Sequence, residues 1–124
     1  MRKLIAGCII VLSLMLAGCG GGSSGGSNGS TITMGAGVFS GNTTISVKAG
    51  TAVTFDDSSG GPHNLVTGTI GQFSAESGAP SELGSSGLAF NGGDTKTVTF
   101  ATAGTYNITC KIHPPMQATI TVTP

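Results

Sequence analysis

In short runs spread through the last 94 residues of this 124-residue chain, inward-type side chains recur at every second position, and that period restricts the fold more than any other feature. Ile45 and Val47, Val53 and Phe55, His63 and Leu65, Val98 and Phe100 keep step in pairs. Tyr106, Ile108 and Cys110 form a longer series, as do Met116, Ala118, Ile120 and Val122. Each set lines one face of a strand, and no helical period of 3.6 is sustained over ten residues. Turn-forming clusters stand between the runs at 48–51, 91–94 and 103–105. These patterns predict an all-β sandwich over residues 31–124 with seven or eight strands. The stretch 67–88 lacks the alternation and reads as a long excursion with at most a short helix.

The N-terminal part follows other rules. Arg2 and Lys3 precede an apolar run from Leu4 to Leu16, which ends in Leu16-Ala17-Gly18-Cys19. This is the pattern of a signal peptide closed by a bacterial lipoprotein box. The run falls short of the ~20 residues that span a bilayer as a helix. Residues 1–18 are therefore expected to be removed, leaving Cys19 lipidated at the new N-terminus. The Gly- and Ser-rich segment 20–30 then acts as a flexible tether with a span of about 18 Å. The expected location is exported and lipid-anchored to the cell or outer membrane, facing the periplasm or the outside.

Composition narrows the function. Beyond residue 18, three lysines face five carboxylates, so there is no basic stripe for phosphates and nucleic acid is excluded as a partner. One small domain leaves no room for a multi-site enzyme. Once Cys8 leaves with the signal and Cys19 is lipidated, Cys110 is a lone thiol in an oxidising compartment, with no partner for a disulfide. A sandwich this small gains from a bound metal.

The side chains suited to such a metal converge. Cys110, His113 and Met116 have the spacing C-x2-H-x2-M, short enough for one loop to wrap one ion, and His63 is the only other histidine. By strand phase Cys110, Met116 and His63 point inward at one end of the sandwich, while His113 lies in the connecting loop. Two imidazoles, a thiolate and a weak thioether are the donor set of a mononuclear blue-copper centre. Zinc is more readily expected with four strong ligands, or with three and an open water.

At these residues the sequence resembles the cupredoxins, specifically the plastocyanin and amicyanin group. The resemblance rests on the run 45–55, on Gly61-Pro62-His63-Asn64, and on 104–116 with its short amicyanin-like loop. It implies a Greek-key sandwich and one-electron transfer by one type 1 copper ion, with His63, Cys110 and His113 in a trigonal plane and Met116 axial. It also implies that the Asn64 side chain ties the two ligand loops together. Where the family often has proline between the cysteine and the second histidine, this chain has Ile112, whose free N–H could reach the Cys110 sulfur. The expectation is a monomeric, non-enzymatic electron shuttle whose redox-protein donor and acceptor dock near His113, on a surface stiffened by Pro114 and Pro115. The alternatives are an exported copper carrier without an electron-transfer role, a metal-free adhesion module, and a separate electron-donating partner of an oxidase or nitrite reductase.

Overall fold

A computed structural model describes residues 30–124. The expected signal peptide, Cys19 and all but the last residue of the expected tether lie outside the described residues.

Among the described residues, ten strands form two sheets. They are β1 (Thr31–Gly35), β2 (Val38–Ser40), β3 (Thr44–Lys48), β4 (Thr51–Asp57) and β5 (His63–Thr69), followed by β6 (Gln72–Phe73), β7 (Leu88–Phe90), β8 (Thr95–Phe100), β9 (Gly104–Cys110) and β10 (Gln117–Thr123). One sheet has the order β2-β1-β4-β8. The other runs β3-β10-β9-β5, with β6 and β7 both paired to β5. The pairs β1–β4 and β3–β10 are parallel and the rest antiparallel.

The period-two sets bury as expected. Ile32, Met34, Val53, Phe55, Val98 and Phe100 of the first sheet close on Ile45, Val47, Leu65, Ile108, Cys110, Ala118, Ile120 and Val122 of the second. Each large apolar side chain so removed from water contributes about 1.5–3 kcal/mol. Between β3 and β4 the chain changes sheets in a tight turn at Gly50, whose φ of 88° suits a residue without a Cβ. There the Ala49 N–H donates to Thr123 in one sheet and the Gly50 N–H donates to Phe100 in the other, each at 2.7 Å.

The strand count exceeds the seven or eight expected. Part of the excess lies in the excursion after Thr67, which contributes β6, β7 and a single 3-10 turn at Ser81–Leu83. That segment is anchored. Thr67 Oγ1 donates toward the carbonyls of Ser74 (2.9 Å) and Leu83 (3.2 Å) and accepts from the Glu76 N–H, while Leu83 is fully buried. The supposed turn at 103–105 is shorter than expected, because β9 already begins at Gly104.

Candidate metal centre

The antiparallel register of β5 and β9 builds the site. Leu65 stands opposite Cys110, which leaves His63 two residues beyond, at the start of β5 and buried to 1% exposure. Cys110 ends β9 in phase with Tyr106 and Ile108, and Met116, fully buried, precedes β10. Residues 111–116 close the gap as a tight loop, with the Met116 N–H donating to the His113 carbonyl at 3.0 Å. Below the loop, the buried Thr109 hydroxyl donates to the Met116 carbonyl at 2.8 Å. His113 rides on the loop, partly buried.

Three donor atoms meet at this end. Cys110 Sγ lies 3.9 Å from His63 Nδ1 and 3.8 Å from His113 Nδ1, and all three donors fall within 4.8 Å of one another. Bond lengths of about 2.3 Å to sulfur and 2.0–2.1 Å to nitrogen, as for an ion of zinc's size, place nitrogen and sulfur about 3.8 Å apart in a trigonal plane. Both sulfur–nitrogen spacings match that value. The two imidazoles face each other at 4.8 Å, tilted by 54°. Both border a cleft of about 420 Å³ whose remaining lining is Ala36, Gly37, Ser59, Gly60 and Gly61.

The surroundings of the sulfur correct two expectations. The hydrogen bond to Cys110 Sγ comes from the backbone N–H of Asn64 at 3.4 Å, and none comes from Ile112. Strand pairing explains this, since Asn64 sits in β5 directly across from the end of β9 and its carbonyl also accepts from the Lys111 N–H at 2.9 Å. Asn64 thus ties the ligand-bearing segments through its backbone. Its side chain turns the other way: Nδ2 donates to the Ser86 carbonyl in the excursion at 3.4 Å, and Oδ1 is buried without a partner.

Sequence reasoning passed over Asp57 and Ser59. Asp57 is the fully buried last residue of β4, and its Oδ1 lies 3.6 Å from His63 Nε2. The signal was available, because Asp57 continues the inward phase of Val53 and Phe55. Burial lowers the pKa of His63 from its ordinary 6.5, Asp57 opposes that shift, and His113 adds to it.

Comparison with known proteins bears on the same residues. A family model for copper-binding proteins of the plastocyanin/azurin family matches residues 30–123. The chain belongs to this family. Among solved structures it resembles amicyanin from Paracoccus versutus at 19% identity, over 78% of this chain and 83% of that one, with a TM-score of 0.57. It resembles a reduced amicyanin variant at 23% identity, over 75% and 80%, with a TM-score of 0.56. An oxidised amicyanin variant matches at 22% identity, over 77% and 83%, with a TM-score of 0.57. These likenesses establish the cupredoxin fold expected from the sequence. The cofactor is copper, and the arrangement of His63, Cys110 and His113 with Met116 matches a type 1 site. Family and site together point to a blue copper electron carrier.

Proposed function

We propose that this cupredoxin shuttles single electrons between redox proteins, with its copper held by His63, Cys110 and His113 and, more weakly, by Met116. The observation that carries this reading is the clustering of one thiol and two imidazoles, two of the three buried, with both sulfur–nitrogen spacings those of donors sharing one ion. Copper, when bound, supplies a one-electron couple whose two states favour different coordination geometries. The residues limit the structural response to that change. His63 and Cys110 sit on paired strands, and Thr109 fixes the backbone at Met116. Donors locked by their supports keep reorganisation small.

The same burial favours electron transfer over a copper-carrier role, which calls for exposed, exchangeable donors. It also supports a non-enzymatic protein, since three strong protein donors and the Met116 thioether would leave no open position on the metal for substrate. Partners would dock around His113. There Ile112, Pro114 and Pro115 are exposed, and the Lys111 ammonium is turned aside to the Ser85 carbonyl. Such a rim has little charge to desolvate on contact. The reading includes a monomer exported and held at a membrane by lipid on Cys19, with 20–30 as its tether.

Absorption spectroscopy tests the centre. Copper-loaded protein should be intensely blue or blue-green from thiolate-to-Cu(II) charge transfer, and Cys110→Ala should lose the band while keeping the sandwich. Weak, pale absorption by the loaded wild type would sink the proposal. For the anchor, Cys19→Ser should leave the membrane fraction, and identical fractionation of both forms would rule it out.

A further inference from the structure

The donor atoms account for one nitrogen of His63, and the other faces an arrangement that copper binding alone does not require. Ser59 Oγ lies 2.8 Å from Asp57 Oδ1, 3.3 Å from His63 Nε2 and 3.4 Å from the N–H of Gly61. The Ser59 N–H also donates to Asp57 Oδ1, at 3.3 Å. A hydroxyl has one proton to give and two lone pairs. Its shortest contact is to the carboxylate, which can only accept, so the proton lies there. The Gly61 N–H occupies one lone pair, and the other remains for Nε2. An oxygen already donating elsewhere can meet Nε2 only as an acceptor, so Nε2 carries the proton. Nδ1, the nitrogen facing Cys110, is left with a bare lone pair.

We infer that Asp57 and Ser59 form a built-in outer support that fixes His63 in its Nδ1-donating tautomer and biases the centre toward Cu(II). This rests on the copper-site reading above. The bias follows from charge. With one thiolate, a Cu(II) centre is a net monocation and a Cu(I) centre is neutral. The Asp57 carboxylate, fully buried behind the imidazole, neutralises the first and leaves the second with an uncompensated negative charge. Its own position is costly, since Oδ2 is buried without a hydrogen-bond partner. The backbone holds it there: the Asp57 N–H donates to the Asp94 carbonyl, and the Gly93 N–H donates to the Asp57 carbonyl, each at 2.9 Å. Asp57 is therefore a positioning and tuning residue, separated from the metal by the ring it orients.

Two measurements test this, one of them without copper. Voltammetry of copper-loaded Asp57→Asn should show a higher reduction potential with the blue band retained. The expected rise corresponds to at least a tenfold shift in Cu(I) over Cu(II) preference, or 59 mV for a one-electron couple. An unchanged potential with the band intact overturns the tuning role. Nitrogen-15 NMR of the copper-free wild type should find His63 protonated at Nε2, and Ser59→Ala should mix the tautomers or speed exchange of that proton. An Nδ1–H tautomer in the wild type, or an unaffected Nε2–H in Ser59→Ala, overturns the support. The NMR arm also decides the matter if Asp57→Asn does not fold. Because it needs no metal, failure of the support is distinguishable from failure of the chain to form a blue centre at all.

Discussion

His63 and His113 are chemically the same side chain, yet the molecule holds them in opposite ways. His63 opens a strand paired on both sides, is almost wholly buried, and has Ser59 and Asp57 behind its outer nitrogen. His113 sits in a loop of six residues between two strands, partly exposed, with exposed prolines following it. A ligand built into the sheets can be ordered before metal arrives, whereas one on a loop keeps a route to solvent. The centre thus has a fixed wall and an accessible door, and electrons exchanged with a partner should leave by the door.

The comparison breaks most visibly if each imidazole is deleted in turn. His113→Gly opens a hole beside the cleft, so added imidazole should diffuse in, coordinate copper and restore the blue band. His63→Gly removes a buried group backed by β5, β7 and the Asp57 support, whose space reaches solvent only through the cleft it shares with His113, and added imidazole should restore less. Titrating both variants with imidazole and copper at the charge-transfer band checks this. Equal rescue of the two would show that the wall is as open as the door.

What the sequence disclosed of this contrast follows from which signals are local. Strand phase placed His63, Cys110 and Met116 inside and left His113 in the loop, because alternation is written residue by residue. Partnership across strands is not written that way. The Asn64 N–H meets the Cys110 sulfur only because β5 and β9 pair in one register, and no spacing rule within either segment reveals it. The excursion was hard to read because its order comes from single anchors, Leu83 in the core and Thr67 at its base, and not from a repeat. Asp57 was legible in phase but was counted as a charge. An acidic residue on an apolar face is informative because it is unfavourable there without a partner.

The wall can be sharpened through its back. Gly87 has φ of 81°, and a Cβ there would collide with the Asn64 side chain. Gly87→Ala combines left-handed strain with overpacking, for an expected loss of about 2–4 kcal/mol. It should also displace Asn64 and alter the N–H contact to Cys110, shifting the band. Chemical denaturation and the visible spectrum read the two effects. Full stability with an unmoved band would mean that the excursion merely covers the wall.

The door has its own support, and its removal is expected to matter less. Thr109→Val preserves shape but leaves the Met116 carbonyl buried without its hydroxyl donor, at an expected cost of about 1–3 kcal/mol. Because that bond holds the end of the ligand loop, copper should dissociate faster than from the wild type. A chelator-competition rate unchanged from wild type would show that the loop is held by its own turn alone.

The smallest expected effect concerns pH in the copper-free protein, where opposing contributions partly cancel at His63. Its ring faces the Asp57 carboxylate, the Ser59 hydroxyl, the Cys110 sulfur and the His113 imidazole. Burial and the second imidazole disfavour the imidazolium and Asp57 favours it, with the balance lying below the ordinary value of 6.5. A histidine depressed in the folded state binds its proton later than in the unfolded chain. Between 6.5 and the lower folded value, the unfolded state therefore carries more protons at this position, and falling pH drives unfolding. The contribution of His63 to stability is present above 6.5 and is lost as pH falls through the folded value. Thermal melts of copper-free wild type and His63→Gln, from neutral to mildly acidic pH, isolate it, since every other side chain is common to both. The wild type should lose more of its melting temperature on acidification below 6.5 than the variant. Parallel curves would show that Asp57 offsets the burial of the wall histidine completely, and the contrast between wall and door would then be one of access and not of electrostatics.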